Sequence, residues 1–176
     1  MRSRGASAWR VVGPSYAGCA SAKSKPRGHV ARLPRSMTST DNLKGLHHIG
    51  VAVNSIDEAL PRWLGMGLVL ASTDVVPTER VKVAVLMAGG TRVELLEPTS
   101  PESPIAKFLE KRGPGVHHLA FHVGDCQVQI DALALGGAAL LDAAPRKGAH
   151  DCKVAFLHPK QLLGVLAELV EDPHAH

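Results

Sequence analysis

LHHIGVAV occupies residues 46–53, and VHHLAFHV occupies residues 116–123. Each stretch places a His-His pair at the head of a short apolar run, which reads as a strand with at least one buried face. The same motif met twice in one small protein points to an internal repeat, and the segments that follow each copy support one.

After the first copy, Ser55 is suited to cap a helix whose first turn holds Asp57 and Glu58. Pro61 inside that segment is expected to shorten or bend the helix. LVLASTDVV (68–76), VKVAVLMA (81–88) and TRVELLEP (91–98) read as strands, the last two joined by a Gly89-Gly90 hairpin. After the second copy, Asp125 caps a helix running to Leu135, ended by Gly136-Gly137. AALLD (138–142), KVAFLHP (153–159) and GVLAELVE (164–171) read as the remaining strands, and SPIAKFLEKRG (103–113) as a linking helix. The expected class is α+β: two tandem βαβββ modules, 43–113 with the linking helix and 114–176, whose sheets join into one curved, barrel-like cleft. Neither module is large enough to bury its own sheet face alone.

Strand alternation sorts the side chains. Ile49, Val51 and Val53 share one face, as do Leu119, Phe121 and Val123, and these bulky faces suit packing against helices. The opposite faces carry His48, Gly50 and Ala52 in one strand and His118, Ala120 and His122 in the other, which suits the lining of a cavity. His47 and His117 are expected to point the other way and to be structural. On the last strand of each module Glu94 lies beside Arg92 and Leu96, and Glu168 sits in a wholly apolar run. A carboxylate there is costly unless paired or bound to a metal. His48 and Glu94 are 46 residues apart, and His118 and Glu168 are 50 apart. A pseudo-twofold between the modules brings two imidazoles and two carboxylates together, a donor set suited to a divalent transition ion with two positions left for water or substrate. His122, one step along the cleft face, is a candidate for substrate contact.

Residues 1–40 hold six Arg, two Lys and no acid, a charge of +8, whereas the rest of the chain has 12 basic and 16 acidic residues, a charge of −4. The basic excess is thus confined to one segment, which argues against a nucleic-acid-binding domain. An Arg-, Ser- and Ala-rich, acid-free start reads as a transit peptide over residues 1–42, addressed to the mitochondrial matrix, with a retained basic tail as the alternative. With 45% apolar residues the chain has material for a core, and no run of 18 apolar residues provides a membrane helix. Three scattered cysteines, Cys19, Cys126 and Cys152, give neither a disulfide framework nor a CxxC site. The terminal EDPHAH (171–176) reads as a disordered end.

Four stretches, LHHIGVAVNSIDEAL (46–60), TRVELLEPTSPESPIAKFLEKRGPGVHHLAFHV (91–123), KGAH (147–150) and FLHPKQLLGVLAEL (156–169), resemble the vicinal oxygen chelate superfamily of glyoxalases, extradiol dioxygenases, bleomycin-resistance proteins and methylmalonyl-CoA epimerases. SPIAKFLEKRGPGVHH and FLHPK with GVLAEL are most similar to the epimerase family, and the similarity runs from about Leu43 to Val170. The resemblance implies metal ligands at His48, Glu94, His118 and Glu168, a divalent cation of which Co²⁺ is the first expectation and Mn²⁺, Ni²⁺ or Zn²⁺ the others, and a homodimer. It implies two bases, Glu79 and Glu168, the latter serving also as ligand. One departure stands out: where the family has a glycine shortly after the first catalytic Glu, TERVKV (78–83) is one residue shorter. The implied substrate is methylmalonyl-CoA, whose phosphates make Lys147 and Lys160 candidate contacts.

Inverting C2 of that thioester needs a base on each face of the carbon, a Lewis acid for the developing enediolate, and limited water. A glyoxalase-type lyase would share the metal site but act on a glutathione hemithioacetal. An iron dioxygenase would need two His and one carboxylate, so the second carboxylate argues against it. A binding module without catalysis has no need of all four ligand positions.

Overall fold

The structure is a computed structural model and describes residues 41–174. The expected transit segment lies outside the described residues except for Asp41 and Asn42. The described elements are β1 (Leu43–Ala52), α1 (Ile56–Gly65), β2 (Val69–Val76), β3 (Val81–Ala88), β4 (Thr91–Pro98), α2 (Pro104–Arg112), β5 (Gly115–Val123), α3 (Cys126–Leu135), β6 (Arg146–Lys147), β7 (Lys153–Leu162) and β8 (Val165–Glu171). All eight strands belong to one sheet, ordered β2-β3-β4-β1-β5-β8-β7-β6. β1 and β5 run antiparallel at its centre, β4 lies parallel to β1, and β8 lies parallel to β5. The order therefore reads the same outward from the centre in both directions. The sheet curls into a half-barrel, the α+β arrangement of two βαβββ units that the repeat predicts.

The helices start where the sequence places their caps. Ser55 Oγ accepts from the Glu58 amide, and Asp125 Oδ1 accepts from the Val128 amide at 2.9 Å. A second device, not read from the sequence, is shared by both modules. Glu97, at the end of β4, accepts the Ile56 amide that opens α1 at 2.6 Å, and Glu171, at the end of β8, accepts the Cys126 amide that opens α3 at 2.9 Å. Each carboxylate meets the positive end of a helix dipole and fixes the helix to the last strand of its own module. Glu171 thus belongs to the ordered frame, against the expectation of a disordered end from residue 171. Pro61 sits inside α1 without ending it.

α1 covers Val51, Val53, Leu86, Val93 and Leu95 with Ile56, Leu60 and Trp63. α3 covers Val123, Ala155, Leu157, Ala167 and Leu169 with Ile130 and Leu133. These are the bulky faces expected from alternation. Leu86 and Leu95 are wholly buried, each worth roughly 1.5–3 kcal/mol of apolar transfer. α2 packs Ile105, Phe108 and Leu109 against Ala52, Val81, Val83 and Leu96.

One strand differs from expectation. Residues 138–142 form no strand but a single bridge between Leu140 and Leu157, and the edge strand is instead the two-residue β6. The Asp142 carboxylate accepts the Phe156 amide at 2.8 Å, in place of a backbone carbonyl, and Pro145 has no amide to give.

Candidate metal centre and cavity

The concave side of the sheet encloses a cavity of about 600 Å³. His48 from β1, His118 from β5 and Glu168 from β8 meet in its wall, and each is buried, at 6%, 6% and 7% exposure. His48 Nε2 and His118 Nε2 stand 2.9 Å apart, and Glu168 Oε2 lies 3.3 Å from the first and 3.2 Å from the second. Glu94 from β4 adjoins the group, its Oε2 3.6 Å from His48 Nε2. Three ligand atoms within 4.8 Å of one another, two imidazole and one carboxylate, fit a divalent ion, with Glu94 placed to add a fourth oxygen.

The electrostatics are those of a buried ionic cluster. Burial opposes a charge on Glu168, yet hydrogen bonds and charge from His118 and His48 hold its carboxyl well below the usual carboxylate range. Burial likewise opposes a proton on His48, and the Glu168 hydrogen bond and the charges of Glu94 and Glu168 raise its pKa nonetheless.

Small residues make the close approach of the rings feasible. Gly50 pairs with His118 across β1 and β5, and a Cβ at Gly50 would lie 2.3 Å from His118 Cε1. On the other side His48 pairs with Ala120, which is wholly buried.

His47 and His117 depart from simple alternation. The β1–β5 register slips between Leu46 and His48, and slips back between Gly50 and Val51, opposite His118 and Val116. The extra residue is His47 in one strand and His117 in the other, so each module carries a β-bulge at the first His of its pair. The bulges turn both rings to the cavity side, where both contribute to its lining. His47 Nδ1 lies 2.8 Å from His48 Nδ1, and His117 Nδ1 lies 2.9 Å from His118 Nδ1. The two modules then differ. His47 Nε2 reaches Asp172 Oδ2 at 3.1 Å, whereas the His117 ring stands edge-on to Phe108 with centroids 4.9 Å apart. Burial, and then the neighbouring His118, pushes the His117 pKa down to about 4.

Glu79 also lines the cavity, from the turn between β2 and β3. Arg80, the next residue, holds φ at 56°, the left-handed conformation usually left to glycine. TERVKV thus makes its short turn without a glycine. The Glu79 carboxylate is met by Arg146 from β6, whose guanidinium also lies 3.5 Å from Asp142 and over the Phe156 ring at 5.2 Å. A second pair crosses nearby, His150 Nε2 to Asp74 Oδ2 at 3.7 Å. Both pairs join the β2 edge of the first module to the β6–β7 hairpin of the second.

Of the expected substrate contacts, His122 does not line the cavity. Ala120, Cys152, Val154 and Val170 pack together at that end of the cleft, and His122 lies past them, beside Gly45. Lys147 is exposed and pairs with Asp151, and Lys160 is exposed near the end of β7. Two arginines line the cavity, Arg92 and Arg146, the latter one position before Lys147. Sequence reasoning missed Arg146, Asp142 and Asp172. Arg146 adjoins the KGAH stretch singled out in the sequence and faces the cavity, whereas Lys147 is exposed.

Residues 47–156 match the Glyoxalase/Bleomycin resistance protein/Dioxygenase superfamily. An uncharacterised protein, YqjC of Bacillus subtilis, is 41% identical over 127 residues, covering 72% of this chain and 91% of its own. An ethylmalonyl-CoA/methylmalonyl-CoA epimerase of Cereibacter sphaeroides is 36% identical over 127 residues, 70% of this chain and 95% of its own. A solved structure of a methylmalonyl-CoA epimerase in complex with methylmalonyl-CoA and NH4+ superposes with a TM-score of 0.69 at 33% identity, covering 75% of this chain and 96% of that one. The chain belongs to the Glyoxalase/Bleomycin resistance protein/Dioxygenase superfamily and is a homologue of its methylmalonyl-CoA epimerases.

Proposed function

We propose that this protein is a metal-dependent epimerase that interconverts (2R)- and (2S)-methylmalonyl-CoA. The observation that carries this reading is the pair of carboxylates, Glu79 from the first module and Glu168 from the second, lining one cavity beside two convergent imidazoles. Glu168 and Glu79 are the two bases, one on each face of C2. Either takes the proton, and the other returns one from the opposite side. Positioned proton transfer of this kind contributes about 10²–10⁴-fold. His48, His118, Glu168 and Glu94 are the residues that hold the cation, and we take Co²⁺ as that cation. When bound, it supplies charge stabilisation for the thioester oxygen as C2 loses its proton. The apolar lining, with Val83, Leu96, Val154 and Leu166 among its residues, limits water around the reacting carbon.

Glu79 is held in place by Arg146, and Arg146 by Asp142 and Phe156, so the first module's base is positioned by the second module's edge. The homodimer and the mitochondrial address remain parts of the proposal, supported by the family resemblance and by the basic, acid-free residues 1–40. The test is to load the full chain with Co²⁺ and follow the chirality of (2R)-methylmalonyl-CoA. Inversion that stops on chelation is the expected result. No inversion with Co²⁺, Mn²⁺, Ni²⁺ or Zn²⁺, together with turnover of the glutathione hemithioacetal, would replace the epimerase by a lyase.

A further inference from the structure

The two candidate ligand histidines are backed by bulge histidines in the same way, but only one of those backing rings is tied to a carboxylate. His48 and His47 face each other through Nδ1 atoms 2.8 Å apart, a contact that holds one proton. If His48 is to present an Nε2 lone pair to a cation, that proton sits on its own Nδ1, and His47 Nδ1 accepts. A neutral His47 then carries its hydrogen on Nε2, the nitrogen 3.1 Å from Asp172 Oδ2. A carboxylate can only accept, so the contact selects this tautomer. Asp172 is itself held, because its Oδ1 accepts the His174 amide at 2.8 Å. The Arg92 guanidinium lies 3.4 Å from the same His47 nitrogen and would favour the opposite tautomer, but it is the longer contact. The His122 ring stands at the side of His47, centroids 6.1 Å apart, without a hydrogen bond to it. In the second module the Nδ1 atoms of His117 and His118 are 2.9 Å apart, and among the described residues His117 has no further hydrogen-bond partner.

We propose that Asp172 and His47 are positioning residues that fix the tautomer and ring orientation of His48, and that cation affinity depends on this one-sided chain. The proposal rests on the reading of His48 as a metal ligand, and outer partners of metal-bound histidines typically contribute 10–100-fold in affinity.

The test uses the full chain and no substrate. Long-range ¹H–¹⁵N spectra of the imidazoles, recorded without added metal, read the tautomers directly, and titration with Co²⁺ reads affinity and the d–d absorption of the bound ion. In the wild type we expect His47 protonated at Nε2 and His48 carrying the shared proton at Nδ1, whatever its Nε2 holds opposite the Glu168 carboxylate when no cation is bound. In Asp172→Asn a carboxamide can donate to Nε2, so His47 should shift to the Nδ1–H form and Co²⁺ affinity should fall about 10–100-fold. Asp172→Ala and His47→Gln should also weaken Co²⁺, and Asp172→Glu should restore part of the loss. Phe108→Leu, beside His117, should leave the His47 tautomer and Co²⁺ affinity unchanged. Wild-type Co²⁺ affinity in both Asp172→Asn and His47→Gln, with the His47 tautomer unchanged in Asp172→Asn, would overturn the proposal, as would His47 protonated at Nδ1 in the wild type. If the wild type takes up no Co²⁺, the affinity half of the proposal is overturned and the spectra decide the tautomer half. Because methylmalonyl-CoA is never added, a failure of the epimerase reading leaves either result standing.

Discussion

The two modules of this protein share a frame and differ in what stands behind it. Both place a His on the first strand, a Glu on the fourth, a bulge at the preceding His and a carboxylate three residues after the Glu to hold a helix. In the first module the bulge His47 leads to Asp172, a residue of the other module's end, and Gly50 leaves room for a ring. In the second, His117 packs on Phe108, and Ala120 stands where Gly50 stands in the first. The fourth-strand carboxylates differ as well. Glu168 touches both imidazoles, whereas Glu94 reaches only His48. The repeat thus accounts for the convergence of the candidate ligands, and the two halves differ in the neighbours that back them.

The largest effect should separate the two fourth-strand carboxylates. Glu168→Gln takes the charge from the carboxylate that meets both imidazoles and removes a proposed base, and should lower epimerisation by about 10³-fold together with Co²⁺ affinity. Glu94→Gln keeps an oxygen ligand and should cost about tenfold or less. Equal losses in the two variants, measured by chirality assay and Co²⁺ titration, would break the asymmetry.

Next comes the contrast between Gly50 and Ala120. Gly50→Ala drives a methyl into the His118 ring, and overpacking of this kind costs about 1–3 kcal/mol. Ala120→Gly opens space beside His48 and should cost about 0.5–1 kcal/mol through backbone entropy. Thermal unfolding ranks the two, and Gly50→Ala should also weaken Co²⁺ binding.

The smallest effects should be similar in the two halves, although Glu171 also accepts from Lys153 Nζ at 2.6 Å. Glu97→Gln and Glu171→Gln each replace a carboxylate at a helix N-terminus and should destabilise by about 1 kcal/mol at neutral pH. The pKa of Glu171 is lowered from 4.5, by the Cys126 amide first and then by Lys153. A depressed carboxylate contributes stability above its unfolded value and loses it as pH falls through the folded value. The gap between wild type and Glu171→Gln in urea unfolding should therefore be full at pH 7 and close as the pH falls below 4.5.

Much of this was legible from side-chain pattern. The repeat, the capping residues Ser55 and Asp125, the helix-facing sides of β1 and β5, and the convergence of His48, His118 and Glu168 follow from period and spacing. The bulges were not legible, because HHI and HHL read as plain alternation and a bulge is a property of two paired strands. That is why His47 and His117 turn toward the cavity rather than away from it. Strand 138–142 failed for a related reason, since Asp142 uses its side chain where a strand would use its backbone. Asp172, in a polar chain end, gave no local signal at all. Glu97 and Glu171 could have been found, because E-x-x-E in VELLEP and AELVE repeats across the modules at equivalent positions.

In the proposed mechanism Glu79 and Glu168 act from opposite faces of one carbon. We would incubate the Co²⁺-loaded Glu79→Gln variant with each epimer of methylmalonyl-CoA in turn in D₂O, following deuterium at C2 by NMR and configuration in parallel. One epimer should exchange its proton with retention, the other should not exchange, and inversion should be lost. Inversion at the wild-type rate would show that Glu79 is not a base.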